Sequence, residues 1–241
     1  MADFRDQTAF DVRCEWGPHG VAALAPSSEL VIIIDVLSFS TAVDVAVARG
    51  AEIYPHPSKG PSAEARAREL GATLATGRGQ GEFSLSPASM LRAQPGQKIV
   101  LPSPNGSALS VKARAFCPNV LCACFRNVSA AASYASQFSP IAIIPAGERW
   151  PDDTLRPAVE DIACAGALIE QLPGRRSPEA LAALGIWQNL RQNVLEHLLA
   201  CSSGRQLIEM GYRADVEMAA QLDVSTATPI LRDGCYITPG T

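Results

Sequence analysis

Short apolar runs alternate along the chain with alanine-rich segments in which apolar residues recur at helical spacing. The first apolar run, at 31–37, indicates a buried strand and is followed by a helix over 40–50. A short strand at 53–55 and a helix over 61–70 repeat the unit. This alternation predicts an α/β fold with α/β/α layers, in which helices cover both faces of a mainly parallel or mixed sheet.

The pattern continues through the middle of the chain and then becomes helical. Apolar runs predict strands at 98–102, 120–125 and 141–145, and helices begin near Gly106, Val128 and Pro157. From Ser177 onward we predict mostly helix, including one that starts at Ser177 and Pro178 and another over 186–200. The turn at 174–177 either begins a helical extension or lies within the same domain. We treat 1–241 as one domain with a helical C-terminal part.

Two polar segments interrupt this alternation. Residues 76–95 are rich in glycine, serine and proline, and residues 147–157 are polar and bounded by proline. Loops that a rigid sheet holds in place are where binding groups concentrate. Both segments are therefore candidate active-site loops.

Composition and charge exclude several classes of protein. With 47% hydrophobic and 18% charged residues the chain is a packed globular protein, and a net charge of −4 without a long basic run argues against a nucleic-acid partner. No apolar run approaches the roughly 20 residues of a membrane span, and Asp3, Arg5 and Asp6 replace the basic start of a secretory signal. We therefore expect a cytoplasmic protein without a membrane partner, whose seven cysteines are buried thiols rather than zinc ligands.

Asp35 is the first residue with candidate chemistry, because it interrupts an apolar strand. An ionised carboxylate is costly to bury without a partner, so Asp35 should meet a metal ion, a cation or several hydrogen-bond donors. Ligands of α/β sheets bind near the carboxyl ends of the strands. The alternative is that Asp35 only caps its loop through backbone donors.

A second polar segment, Asn105 to Ser107, follows a strand and introduces a helix. Amides and hydroxyls at a helix start attract anions, so a phosphate could bind there. An ordinary turn and helix cap would use the same residue types. Arg126 and Asn127 repeat the arrangement after another strand, as a weaker signal.

Further carboxylates follow the strand at 141–145. Glu148 lies in the segment after that strand, and Glu160 and Asp161 open the next helix. Acids at a helix start are favoured by the helix dipole alone. Together with Asp35, however, they would supply several oxygen ligands of the kind that magnesium prefers beside a phosphate. The residues therefore point to phosphoryl chemistry with Mg²⁺ as cofactor.

The motifs and their order resemble a known family. This chain has Ile-Ile-Asp35-Val36-Leu37-Ser38-Phe39-Ser40-Thr41 where that family has Val-Ile-Asp-Val-Leu-Arg-Ala-Ser-Thr, and Asn105-Gly106-Ser107 where it has Asn-Gly-Thr. Asn127 at the next helix and Glu160-Asp161 ahead of Cys164-Ala165-Gly166 extend the similarity. In this order the motifs resemble the ComB-like 2-phosphosulfolactate phosphatases of the coenzyme M pathway.

The resemblance implies a magnesium-dependent acid phosphatase with an α/β fold, which hydrolyses 2-phosphosulfolactate to 3-sulfolactate and phosphate, or acts on a related phosphorylated hydroxyacid. With the polar segments described above, it gives Asp35, Glu160 and Asp161 as catalytic residues and Asp35, Glu148 and Asp161 as metal ligands. The candidate substrate-binding residues are Ser38, Ser40, Thr41, Arg78, Asn105, Gly106, Ser107, Asn127, Gly147 and Arg149. Attack by water and a phosphorylated Asp35 both stay open as mechanisms, and so does a homo-oligomer.

Two departures from the family pattern affect the predicted substrate. Ser38 stands where the family has arginine, which removes a bidentate donor for phosphate, carboxylate or sulfonate. The segment 76–78 reads Thr-Gly-Arg where Gly-Glu-Arg is expected. Arg78, Arg126 or Arg149 could supply the missing charge. The competing interpretation is a weakly active or non-catalytic member that binds a small anionic metabolite.

Other hydrolase and nucleotide-binding classes fit less well. A haloacid-dehalogenase-type phosphatase needs a second Asp two residues after the first, and position 37 is leucine. The glycines at 77–81 lack the lysine and hydroxyl of a P-loop. No Gly-x-Ser-x-Gly elbow supports a serine hydrolase.

Overall fold

The structure is a computed structural model that describes residues 4–239, so Asp3 of the N-terminal segment lies outside the described residues. The strands are β1 Val12–Cys14, β2 Leu30–Ile34, β3 Glu52–His56, β4 Thr73–Leu74, β5 Lys98–Pro102, β6 Val120–Cys122, β7 Ile141–Pro145, β8 Glu148–Arg149, β9 Leu155–Arg156, β10 Ile230–Arg232 and β11 Cys235–Ile237. The α-helices are α1 Gly17–Leu24, α2 Phe39–Ala48, α3 Pro61–Leu70, α4 Pro87–Met90, α5 Gly106–Arg114, α6 Val128–Ala135, α7 Val159–Gln171, α8 Pro178–Leu190, α9 Val194–Ala200, α10 Ser202–Glu209 and α11 Arg213–Ala219.

Within residues 4–239, nine strands form one mixed sheet in the order β1-β7-β2-β6-β10-β11-β3-β5-β4. The pairings among β1, β7, β2 and β6 are parallel, as are those among β3, β5 and β4. The hairpin β10–β11 lies between these two groups and is antiparallel to β6 on one side and to β3 on the other. The two groups therefore run in opposite directions, and the remaining strands β8 and β9 form a separate small hairpin.

Helices cover both faces of the sheet, which explains why β2 is apolar at every position. Ile32 and Ile34 pack in the core layer that contains α6, α7 and α8. Val31 and Ile33 face the opposite layer, with α1, α2 and α5. The predicted α/β/α layering is thus confirmed, with a sheet that is mixed rather than wholly parallel.

The first helix after Ser177, α8, packs closely on α7. A Cβ at Gly166 of α7 would lie 2.1 Å from the carbonyl oxygen of Ala183 in α8, so the backbones meet at a glycine. The single helix predicted over 186–200 is wrong. α8 ends at Leu190, a 3₁₀ turn spans Arg191–Asn193, and α9 begins at Val194.

Several predicted boundaries shift by a few residues. The first long strand ends at Ile34 rather than at residue 37, so Asp35 follows the strand instead of lying within it. The next helix begins at Phe39, one residue earlier than predicted, and α7 begins at Val159. The strand predicted over 120–125 ends at Cys122. These shifts leave the polar residues of the candidate site in loops and first helical turns.

Most of the thiols are buried, as the composition predicts. All seven cysteines are unpaired, and all except the half-buried Cys201 are buried. No helix among residues 4–239 combines the length and the apolar character that crossing a bilayer requires. The cytoplasmic location stays a prediction.

Candidate active site

Asp35 lies directly after β2 and is buried, with 6% of its surface exposed. Its Oδ2 accepts a hydrogen bond of 2.8 Å from the Gly106 amide at the start of α5, and its Oδ1 accepts a longer one of 3.4 Å from the Phe39 amide. Burial, followed by the charge of Glu148, raises the pKa of Asp35 to about 7. Asp35 therefore meets backbone donors, yet burial and neighbouring acids still oppose its negative charge.

Asp161, in the first turn of α7, connects the loops after two parallel strands. Its Oδ1 accepts a hydrogen bond of 2.8 Å from the Val36 amide, and its Oδ2 accepts one of 2.9 Å from the Gly147 amide. Burial and the charges of Glu160 and Asp35 raise its pKa well above the usual value. Gly147 has a φ of +69°, so the turn that presents this amide favours glycine.

Glu148 and Glu160 complete a group of four carboxylates with Asp35 and Asp161. The Asn105 side-chain amide donates a hydrogen bond of 3.0 Å to Glu148. Burial raises the pKa of Glu148, and the hydrogen bond from Asn105 opposes that shift. The charge of buried Glu160 acts on each of the other three carboxylates. We call these four residues the carboxylate cluster.

The carboxylate cluster suits an oxygen-ligated cation that keeps some of its water. Within residues 4–239, no three or more His, Cys, Asp or Glu side chains are arranged to enclose a metal ion. Mg²⁺ commonly takes only one or two carboxylates and completes its shell with water and substrate phosphate. Burial is the main cause of the raised pKa values of these carboxyls. The charge of Glu148 adds to the shift at Asp35 and the charge of Asp35 adds to the shift at Asp161, and such a cation would relieve this repulsion.

Several predicted substrate-binding residues make hydrogen bonds within the loops. The hydroxyls of Ser40, Thr41 and Ser107 are buried and donate to the carbonyl oxygens of Asp35, Val36 and Leu101, at 2.8, 2.7 and 2.6 Å. The buried amide of Asn127 donates 3.0 Å to the Ala227 carbonyl oxygen. The Gly106 amide donates to Asp35, so all five of these groups donate hydrogen bonds within the protein.

Arg78 reaches Ser38 from the glycine-rich segment. Its Nη2 donates a hydrogen bond of 2.7 Å to the Ser38 hydroxyl, and its Nε lies 3.3 Å from an oxygen of buried Asp215. The guanidinium carbon lies 5.4 Å from the centre of the Tyr212 ring. Asp215 also accepts a hydrogen bond of 2.6 Å from Ser86. These contacts fix a cation at the start of α2.

The other two candidate arginines are engaged elsewhere. Arg126 pairs at 2.9 Å with Asp44, which is fully buried and also accepts a hydrogen bond of 2.7 Å from Ser225. Arg149 lies on the β8–β9 hairpin, where it donates to the Asp153 carbonyl oxygen at 2.9 Å. Arg149 also lines a cavity of about 310 Å³ together with Asn105 and His19. Of the three arginines, only Arg78 reaches position 38.

Comparison with known proteins decides the family. A sequence model described as 2-phosphosulpholactate phosphatase matches residues 20–234. The chain belongs to this family. It therefore belongs to an enzyme family of phosphoric monoester hydrolases, as the resemblance of the motifs implied.

Relatives in the family are similar over most of the chain. The 2-phosphosulfolactate phosphatase of Methanothermobacter thermautotrophicus is 28% identical over 214 residues, covering 86% of this chain and 88% of that protein. A protein of Thermosynechococcus vestitus described as "Probable 2-phosphosulfolactate phosphatase" is 27% identical, covering 83% and 88%. One of Gloeobacter violaceus with the same description is 31% identical over a shorter match, covering 56% and 55%.

The sequence of this 2-phosphosulfolactate phosphatase family member gave no indication that Arg156 would lie beside the carboxylate cluster. Arg156 is paired with Glu148 across the β8–β9 hairpin. Burial raises the pKa of Glu148, and the charge of Arg156 lowers it. Its Nη2 donates a hydrogen bond of 3.1 Å to the Ser203 hydroxyl in α10. Its only sequence signal was its position in the polar segment at 147–157.

Proposed function

We propose that this chain is a magnesium-dependent phosphatase that hydrolyses a small anionic phosphate monoester, 2-phosphosulfolactate or a related phosphorylated hydroxyacid. The observation that carries the proposal is the convergence of the carboxylate cluster from the loop after β2, the β8–β9 hairpin and the first turn of α7. The names of the relatives supply the substrate class.

Of the predicted ligands Asp35, Glu148 and Asp161, one or two carboxylates would hold Mg²⁺, and water and the substrate phosphate would complete its shell. Magnesium held there would supply positive charge beside the phosphate oxygens. The amides of Gly106, Val36 and Gly147 keep the carboxylates of Asp35 and Asp161 in place. Because both oxygens of Asp35 already accept hydrogen bonds, this arrangement favours direct attack by water over phosphorylation of Asp35.

We place the phosphate at the start of α2, next to Arg78. The amides of Leu37 and Ser38 have no protein acceptor within the described chain, and a helix start attracts anions. Nη1 of Arg78 likewise has no acceptor among residues 4–239. Arg78 matches the arginine of the family's Gly-Glu-Arg segment, and it supplies a charge next to position 38, where the other arginine of the family pattern is absent. A cation beside the phosphate favours catalysis over a family member that only binds its ligand.

In the proposed reaction, water attacks phosphorus and the bond between phosphorus and the ester oxygen breaks. Glu160 accepts a proton from the attacking water, the departing alkoxide takes up a proton from solvent to form the hydroxyacid, and Glu160 then releases its proton to solvent. The products are the hydroxyacid and inorganic phosphate. Glu160 has this role because it belongs to the carboxylate cluster but not to the proposed metal ligands.

The test measures inorganic phosphate released from 2-phosphosulfolactate, with MgCl₂ and with EDTA. We expect release only with magnesium, and a fall in kcat of about 100-fold in Glu160→Gln, in line with the loss of a general base. Glu209→Gln, on the exposed face of α10, is the matched control and should retain wild-type kcat. Tight binding of the ester without phosphate release would support the non-catalytic alternative.

A further inference from the structure

Arg156 differs from the other arginines near the site because much of its hydrogen-bonding capacity is unused. Arg126 is paired with Asp44, and Arg78 with Asp215. Arg156 makes one hydrogen bond, to Ser203, and its Nε and Nη1 have no acceptor in the part of the chain described. No ion pair with a carboxylate of residues 4–239 holds it. The guanidinium opposite Glu148 therefore has hydrogen-bond donors that no described residue accepts.

The side chain of Arg156 is nevertheless held in place. Ser203, which is buried, accepts its hydrogen bond from the first turn of α10. The guanidinium carbon lies 5.9 Å from the centre of the Trp150 ring, a cation–π distance. The short hairpin pairing fixes its backbone opposite Glu148. A fixed guanidinium with free donors is suited to bidentate recognition of a planar or tetrahedral oxyanion.

Arg78 and Arg156 lie at the two ends of a continuous series of contacts. Arg78 bonds to Ser38 in the loop that follows Asp35, and Asp35 bonds to Gly106. The neighbouring Asn105 bonds to Glu148, which faces Arg156. The carboxylate cluster is thus connected to a cation through Ser38 and to another through Glu148. A phosphate at one end leaves the second cation available for another acidic group of the same substrate.

We propose that Arg156 is a specificity-determining residue that binds a second acidic group, a carboxylate or a sulfonate, on the phosphate ester. The assignment rests on the proposed function, which places the phosphate at Arg78. It restricts the substrates to esters that carry at least two separate anionic groups. Simple phosphate esters would lack the contact with Arg156.

A binding experiment tests Arg156 independently of turnover. Calorimetry with MgCl₂ measures the dissociation constants of 3-sulfolactate and of inorganic phosphate for the full chain, Arg156→Ala, Arg156→Lys and Arg205→Ala. We expect Arg156→Ala to weaken 3-sulfolactate at least 10-fold and phosphate less than 3-fold. Arg156→Lys, which keeps the charge without the fork, should lie between wild type and Arg156→Ala. Arg205→Ala removes an exposed charge from the same helix as Ser203 and should change neither constant.

Two results would overturn the proposal. One is an equal loss for both ligands in Arg156→Ala, which would mean that Arg156 acts only through Glu148. The other is no loss for 3-sulfolactate in a variant whose Tm stays within a few degrees of wild type. Should Arg156→Ala unfold, Arg156→Lys decides by the same comparison.

Kinetics separate this inference from the proposed function and identify the acidic group. The substrates are 2-phosphosulfolactate, 2-phospholactate and phenyl phosphate, and the measure is kcat/KM. A loss in Arg156→Ala confined to 2-phosphosulfolactate assigns the sulfonate, and a loss on both acidic esters assigns the carboxylate. If the wild type hydrolyses none of the three, the proposed function fails, while the dissociation constants still decide the role of Arg156.

Discussion

The guanidinium of Arg78 donates a hydrogen bond of 2.7 Å to the hydroxyl of Ser38. A cation from the glycine-rich segment thus reaches the position at which the 2-phosphosulfolactate phosphatase pattern has arginine. Asp215 and Tyr212, both close to the C-terminus in sequence, hold that cation in place. The chain thus lacks the arginine of the pattern at position 38 but keeps a cation beside that position, the Arg78 that the pattern also has.

Arg78→Ala should lower kcat/KM for 2-phosphosulfolactate about 100-fold, because a charged hydrogen bond to the phosphate is lost. Adding Ser38→Arg to that variant restores a guanidinium at the same place, so the double variant should regain at least about 10-fold of the loss. Phosphate release under initial-rate conditions measures both effects. If Ser38→Arg does not raise the kcat/KM of a folded Arg78→Ala protein, the assignment of a guanidinium at this position to the phosphate is contradicted.

Asp35→Asn should change the pH dependence of stability. The pKa of Asp35 is raised to about 7 from an ordinary 3.8, so between these pH values the folded state binds a proton that the unfolded chain does not. The contribution of Asp35 to the free energy of unfolding is therefore largest at low pH, and it falls as the pH rises to about 7. Asparagine has no charge to lose. The free energy of unfolding of Asp35→Asn relative to wild type should rise by about 3 kcal/mol between pH 5 and pH 8.

Urea unfolding in EDTA at several pH values measures this difference. The amide hydrogen bond that asparagine cannot accept adds an offset that does not vary with pH, so the slope is the relevant quantity. A constant difference across the range would show that Asp35 is ionised throughout. Asp152→Asn, in an exposed turn, is the control with no comparable rise.

Gly106→Ala should destabilise the protein by about 3 kcal/mol. A Cβ at this position would lie 2.1 Å from Cδ1 of Phe39 and 2.8 Å from Oδ2 of Asp35. Gly185→Ala is the matched control, since a Cβ there meets nothing within 4 Å and the residue lies within α8. The control should gain about 0.5–1 kcal/mol. The denaturant midpoints of both variants measure these changes in stability. Equal shifts of the midpoint in Gly106→Ala and Gly185→Ala would refute the prediction.

Arg126→Ala should act on stability rather than on catalysis. It leaves the fully buried Asp44 with only Ser225 as a side-chain partner, and breaking a buried pair in this way costs about 3 kcal/mol. The KM for the ester should stay at its wild-type value at temperatures where the variant is folded. A raised KM in the folded protein would instead place Arg126 at the substrate.

The convergence of acidic residues could be predicted because each lies next to a recognisable element. Asp35 follows the most apolar run of the chain, and Asp161 lies in the first turn of a strongly patterned helix. The structure brings these residues together with Glu148 and Asn105. Their roles as ligands and catalysts stay predictions.

The hydroxyl residues show where sequence patterns lose information. Serine and threonine at a helix start are equally suited to binding an anion and to hydrogen bonding with the backbone of their own loop. Ser40, Thr41 and Ser107 donate to carbonyl oxygens within six residues of themselves. Nothing in the composition of these segments distinguishes the two uses.

The contributions of Arg156 and Asp215 could not be predicted, because they depend on distant segments. Arg156 bonds to a residue 47 positions away, and Asp215 to one 137 positions away. The strands β10 and β11 were missed for a different reason. At three residues each, they are too short for an alternating pattern to be recognised.

That C-terminal hairpin has a consequence for synthesis of the protein. Among residues 4–239, β10 and β11 provide the only strand pairing between β6 and β3. Until β10 and β11 have been translated, no strand pairs with both groups. β6 and β3 then each have an edge whose backbone hydrogen-bonding groups are unpaired. A product of premature termination before Ile230 would keep both edges exposed, which makes it prone to self-association and a ready target for cellular proteases.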